Sequence, residues 1–337
     1  MPRSGSTWLG KILDSHPDTL YRHEPDGMGH VNDLPLLVPP EQAGQYASRV
    51  EEFVRSLPHI NHSKVSGKLP AFPKNYYSSH QLLFKRTNTL VSKLLGRVAG
   101  ELPLLRVKDY QAVRDLRVVW KSIESLGRLG ALISLMPQAM AVHLIRHPCG
   151  YVQSVLRGEG QGRFVGPVKT SEDFPVFEML LDTTLARAQG LTLDDLKACS
   201  PLERLAWRWT LFNEQALEDT AGRPNCQPVL YEDLCANPEP VSRELFERLH
   251  LDWNPQVARF IRRSTAVNRE GFYSVYKNPH LSAEKWRTVL SPSDVKRVTA
   301  IASLSRAGRM YAECLEAQSW DGGGEPRIHV QDFSRHA

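Results

Sequence analysis

Residues 1–18 read MPRSGSTWLGKILDSHPD. A glycine-and-hydroxyl turn, Pro2–Thr7, runs straight into Trp8, Leu9, Ile12 and Leu13, which share one face of a helix predicted over Thr7–Ser15. Pro17 stops that helix, because the residue before a proline is pushed out of the helical region. Gly5 permits a tight turn, Ser4, Ser6 and Thr7 add hydroxyl donors, and the free N–H groups of the helix start converge on one spot. Arg3 adds a permanent positive charge beside them. Such a turn suits a phosphate or a sulfate; an ordinary helix capped by a hydroxyl is the equally weighted alternative. It is not a Walker A loop, since no lysine follows Gly5 at the required place.

Working outward, TLYRHEPDG (19–27) reads as a short strand ending at a turn. Residues 35–80 are rich in Pro, Gly, His and Asn, with one helical stretch near Glu41–Leu57, as in an insertion over a site. ELPLLRVKD (101–109) reads as a buried strand followed by a helix in YQAVRDLRVVWKSIESL. The most apolar window, 126–145, is broken by Arg128, Pro137 and Gln138, so it reads as helix, turn and strand and not as a membrane span. MAVHLIRHP (140–148) is the strand, and a helix leaves its carboxyl end at CGYVQSVLRGEG. Helices are predicted at 202–220, about 240–249 and 292–317, and a strand at 227–234. Strands alternating with helices predict an α/β fold with a parallel wound sheet flanked by helices. Ligands then bind beyond the carboxyl ends of the strands.

The chain has 337 residues and a net charge of +5, too mild for a nucleic-acid-binding protein but compatible with an anionic small molecule. Five scattered cysteines without a CxxC pair indicate neither a disulfide framework nor a zinc site, and favour a reducing compartment. His59 and His62 in HINH lie one helical turn apart, but nothing nearby completes a metal site, and both read as surface residues.

Two further blocks carry candidate chemistry. In LIRHPCGYVQSVLR (144–157), Arg146 ends a strand and Ser154 follows eight residues later on the next helix, as a fork of donors and a neutral donor for one anion. In VLYEDLCANPEPVSRELFERL (229–249), a strand ends at Tyr231, a residue able to stack on a base. Each block alone is also compatible with plain scaffold.

In this order, PRSGSTWL, LIRHPCGYVQSVLR and VLYEDL resemble the sulfotransferases that use 3′-phosphoadenosine 5′-phosphosulfate (PAPS). LLRVKDY, RLAWRWTLFNEQAL and SAEKWRTVLSPSDV resemble the family too. The resemblance implies a P-loop NTPase-like sulfotransferase fold in a single domain over 1–317. The variable segment 30–100 would lie on the acceptor side, with a tail at 318–337. It implies that Arg3, Ser4, Gly5, Ser6, Thr7 and Trp8 hold the 5′-phosphosulfate, that Arg146 and Ser154 hold the 3′-phosphate, and that Tyr231 lies near the adenine. Lys285 in EKWR reads as a surface lysine, and His147, where the family usually has Asp, as a strand-end packing residue. The product would be adenosine 3′,5′-bisphosphate (PAP), and no metal is expected.

The carbohydrate and protein-tyrosine branches place a glutamate soon after the loop helix, and SHPDTLYRHEPDG puts Glu24 there, 21 residues after Arg3. Glu24 is therefore the expected general base, with Arg3 assisting catalysis and His23 as the rival base. The expected reaction is sulfuryl transfer from PAPS to a hydroxyl of a carbohydrate, glycolipid or similar small-molecule or glycan acceptor. The alternatives are a PAPS- or PAP-binding protein without turnover and, less favoured, a small-molecule kinase. No nucleic-acid partner is expected. Because nothing resembles a stem or an anchor, a cytoplasmic enzyme is expected. Family members carry an apolar strand directly before the loop, whereas Met1 stands one residue ahead of Pro2. The expectation is a chain lacking that first strand, its slot in the sheet open, through truncation or a start at an internal methionine.

Overall fold

Gly5, with φ 89°, occupies a left-handed position that only glycine adopts without penalty, and it turns the chain into helix α1, Ser6–Asp14. Gly10 lets that helix pack closely on the following strand: a Cβ there would meet the Tyr21 hydroxyl at 2.8 Å. The computed structural model describes residues 1–28, 34–99, 104–105, 116–163, 168–267 and 275–311. The predicted strand at 101–109 and the tail at 318–337 therefore lie outside the described residues, apart from Leu104 and Leu105.

The elements follow in chain order. Strand β1 is Thr19–His23, followed by helices α2 Ala47–Ser56, α3 Ser63–Ser66 and α4 Ser79–Ala99, then strand β2 Arg117–Lys121. Helix α5 Leu129–Leu135, strand β3 Ala141–Ile145 and helix α6 Pro148–Gly160 come next. Three short helices, α7 Phe174–Leu180, α8 Thr184–Ala188 and α9 Leu193–Ala198, lead into α10, Pro201–Asp219. Strand β4 Cys226–Leu230 runs into α11 Tyr231–Ala236, and α12 Pro238–Arg248, α13 Pro255–Ala266, α14 Pro279–Glu284 and α15 Pro292–Ala302 complete the set. The result is a mixed α/β fold, mostly helical, with small parallel sheets.

Two compact units divide the chain. The first comprises Met1–Leu34, Gln45–Ser125 and Asn237–Asn278. Its sheet pairs β1 with β2 in parallel, from Thr19 opposite Arg117 to His23 opposite Lys121. All five β1 residues are buried, including Arg22, whose guanidinium is satisfied by the carbonyls of Leu57 (2.6 Å) and Pro58 (2.7 Å). Beneath α1, Asp14 is held between Lys11 (2.5 Å) and Lys74 (3.1 Å). Burial alone would raise the Asp14 pKa, but the two ammonium groups bring it down to about 2.

The second unit comprises Pro35–Gly44, Leu126–Ala236 and Pro279–Ala337. Its sheet pairs β3 with β4 in parallel, from Ala141 opposite Cys226 to Ile145 opposite Leu230. Helix α10 packs against α6 and α15 around the buried Trp209. A capping box of Ser200 and Glu203, with Pro201 at the first helical position, sets where α10 begins.

The α/β expectation holds: parallel strands alternate with helices, and among the described residues they form two two-stranded parallel sheets. Two expectations need correction. The helix predicted across 110–126 is a strand over Arg117–Lys121, because pairing with β1 overrides the helical spacing of its apolar residues. Tyr231 does not end a strand; it is the first residue of α11. Pro2–Gly5 form a turn and a bend ahead of α1.

Candidate active site

The loop and the carboxyl ends of β1 and β2 all belong to the first unit. Arg3 (φ 65°) and Gly5 are both left-handed, which coils residues 1–5 tightly ahead of α1. Trp8 and Leu9 return their N–H groups to the Gly5 carbonyl, at 2.9 and 3.3 Å. The Ser6 and Thr7 N–H groups have no backbone acceptor among the described residues. They sit where the helix dipole favours an anion. Ser4 is turned inward, its hydroxyl donating to the Met1 carbonyl at 3.0 Å. Trp8 donates its indole N–H to the Ser264 hydroxyl of α13 at 3.0 Å, which ties the loop helix to that element.

Glu24 follows β1 directly, also left-handed at φ 49°, with its N–H on the Lys121 carbonyl at 2.7 Å. The Lys121 ammonium, buried at the end of β2, ion-pairs with Glu24 Oε1. Burial lowers the Lys121 pKa, Glu24 opposes that, and the positive charge of Arg3 adds to the lowering. Arg3, Lys121 and Glu24 are thus electrostatically coupled in one unit. Lys68 adds a further cation, lowered to about 8 by burial and by Lys121.

His23 Nε2 lies 3.6 Å from Glu24 Oε1, and its Nδ1 pairs with the Tyr21 hydroxyl at 2.8 Å. Burial, then Lys121 and Lys68, push its pKa down to about 2. An imidazole so reluctant to take a proton is a poor base at neutral pH, whereas the Glu24 carboxylate is partly open to solvent.

In the second unit, Arg146 follows β3, donates to the Ser282 carbonyl at 2.8 Å and lies over the Tyr231 ring, 5.0 Å from its centroid. Ser154 is buried on α6. Tyr231 is itself buried, and burial raises its phenol well above the usual range. Its ring is a platform for the guanidinium. Behind them Glu232 accepts from the His147 N–H (3.1 Å) and from the Tyr311 hydroxyl (2.6 Å). His147 caps α6, accepting from the Cys149 N–H at 3.2 Å, and stacks on Trp286 at 4.4 Å. That is the packing role expected at strand end. The residues named from the sequence thus fall into two groups: loop and Glu24 in one unit, Arg146, Ser154 and Tyr231 in the other.

Sequence reasoning missed Lys121. The signal was RVVWK, a β-branched pair beside a tryptophan, which marks a strand once the helical reading of the segment is dropped. Among the described residues no group of histidine, cysteine or carboxylate side chains could hold a metal. His62 caps α3 instead. Cys149, Cys199, Cys226 and Cys235 are free thiols, and Cys314 lies outside the described residues. No helix among the described residues is long and apolar enough to cross a membrane.

No curated protein matches the chain. Among solved structures, it is similar to the sulfotransferase domain from the curacin biosynthetic pathway, at 17% identity over 90% of this chain and 94% of that one, with a TM-score of 0.40. It is also similar to the sulfotransferase domain from the Synechococcus PCC 7002 olefin synthase, at 17% identity over 89% and 91% of the two chains, with a TM-score of 0.39. Residues 1–163, which carry the loop, Glu24, Lys121 and the Arg146–Ser154 block, match the model of the sulfotransferase family.

Proposed function

We propose that the chain transfers the sulfuryl group of PAPS to a hydroxyl of a carbohydrate, glycolipid or similar acceptor, with Glu24 as the general base. The observation that carries this reading is the Glu24–Lys121 pair at the ends of β1 and β2, coupled to the loop arginine. PAPS supplies the sulfuryl group, and the donor set fits it: Arg3, the open N–H groups of Ser6 and Thr7, and their hydroxyls at a helix start. Arg146 and Ser154 take the 3′-phosphate, and Tyr231, whose ring lies against the Arg146 guanidinium, lies near the adenine.

Glu24 accepts the proton of the attacking hydroxyl as its oxygen bonds to sulfur. The bond between sulfur and the bridging phosphate oxygen breaks, and Arg3 with the loop N–H groups meets the charge that develops there. Lys121 holds the Glu24 carboxylate in place and keeps a cation beside the reacting atoms. Such chemistry is mostly positioning and electrostatics.

Incubation with PAPS and a panel of p-nitrophenyl glycosides should yield PAP and sulfated glycoside in equal amounts. Tight binding of PAP by calorimetry with no sulfated product from any hydroxyl acceptor would overturn transfer in favour of binding alone, and binding of ATP in preference to PAP would favour a kinase. Arg146→Ala should weaken PAP binding by about 10–100-fold, the loss of one charge-assisted contact to phosphate. Arg146→Lys should recover only part of it, because an ammonium cannot reproduce the fork. Unchanged calorimetric affinity in both variants would remove Arg146 from the site.

A further inference from the structure

Helix α4 is amphipathic the wrong way round. Its polar residues Lys85, Thr89 and Ser92 face the protein: Thr89 and Ser92 are buried, and Lys85 donates to the Tyr77 hydroxyl at 3.3 Å. Its apolar residues face outward, with Leu83, Leu90 and Leu94 at 60%, 56% and 64% exposure and Phe84, Val91 and Leu95 beside them. At 100° per residue these six fall within one arc about 140° wide, with exposed Thr87 between its two halves and its hydroxyl donated back to the Leu83 and Phe84 carbonyls. Leu105, 65% exposed, extends the patch, tethered through its carbonyl to Asn88 at 3.1 Å. So many large apolar side chains exposed on neighbouring turns form the kind of surface that marks an interaction site.

The charge on this helix is equally one-sided. Residues 79–99 hold Lys85, Arg86, Lys93 and Arg97 and not one Asp or Glu. Arg86 and Lys93 are exposed and fall along one border of the apolar arc. A basic helix with leucine and phenylalanine on its other face has the make-up of an element that lies in a membrane interface. It is not apolar enough to cross one.

We propose that α4 docks this protein on a bilayer surface carrying anionic headgroups, its leucine arc set into the acyl boundary and Arg86 and Lys93 among the headgroups. Charge selects this occupant over a second copy of the chain. Pairing two α4 faces would set two basic borders together with no carboxylate from either helix, whereas an anionic bilayer supplies the missing negative charge. Lys93 also stands close enough to the site described above to contribute to the lowering of His23 and Lys68.

The test is flotation of the full chain with vesicles of phosphatidylcholine alone and of phosphatidylcholine with phosphatidylglycerol. Binding to the mixed vesicles is expected, at least tenfold weaker on phosphatidylcholine alone and reduced by added salt. Leu90→Glu with Leu94→Glu should abolish it while the melting temperature and PAP calorimetry stay as in the parent. Arg86→Gln with Lys93→Gln should remove the preference for phosphatidylglycerol and leave weak residual binding. Failure of the parent to float, flotation of the Leu90/Leu94 variant like the parent, or a dimer in light scattering that this variant dissolves would each overturn the proposal.

Discussion

Glu24→Gln is expected to lower kcat for sulfuryl transfer by about 10²–10⁴-fold, the range a positioned general base contributes, with PAP affinity unchanged. The amide keeps the shape of the side chain and can still accept from Lys121, so the local structure has little reason to rearrange. What is lost is the ability to take a proton. The variant also leaves the buried Lys121 ammonium without its counter-charge, so a lower melting temperature is expected alongside. Measuring PAP binding and melting on the same preparation separates loss of chemistry from loss of fold. His23→Gln provides the discriminating comparison. With its pKa near 2, His23 is neutral and weakly basic throughout the working range, so this variant should retain most of the turnover. Full activity in Glu24→Gln, or loss of activity confined to His23→Gln, would move the base from Glu24 to its neighbour.

Stability should fall as the solution is acidified from pH 7 to pH 5. Burial first of all lowers His23 to about 2, His147 to about 3 and His143 to about 4, and it lowers His16 as well. Above the unfolded value near 6.5 both states hold these rings neutral, and nothing is lost. Below it the unfolded chain takes up protons that the folded protein refuses, so each ring costs about 1.4 kcal/mol per pH unit until its folded pKa is reached. Three carboxyls work the other way. Burial raises Asp219 to about 6 and also raises Glu232 and Glu218, so between its unfolded and folded values each takes up protons preferentially in the folded state. Three strongly shifted rings, with His16 beside them, against three carboxyls leave a net loss of roughly 1–3 kcal/mol per pH unit near pH 5, large beside a total of about 5–15 kcal/mol. Denaturant titrations at stepped pH check this, and His143→Gln should flatten the slope by about one proton. A stability that is level or rises between pH 7 and pH 5 would contradict it.

Much of the first unit's chemistry was legible along the chain because it is local. The turn at Pro2–Thr7, the apolar face of α1, the stop at Pro17 and the short strand before Glu24 all follow from neighbours within a few residues. The same holds for β3 and the start of α6, expected at Cys149 and found one residue earlier at Pro148. Lys121 was not legible, because RVVWKSIESL carries apolar residues at helical as well as strand spacing. Only the parallel ladder to β1 chooses between them, and that choice places Lys121 opposite His23 and next to Glu24. Tyr231 was legible as a candidate aromatic, but not as the platform beneath Arg146.

The residue order by itself therefore determined the loop, its charge, the helix behind it and the glutamate 21 positions on, since backbone geometry and periodicity act over short spans. Tertiary structure decided which cation that glutamate meets, because a β-ladder joins segments nearly a hundred residues apart. It also decided which face of α4 is turned outward. Periodicity can define a leucine arc, but only packing of Thr89 and Ser92 against the protein shows that the arc points to the outside.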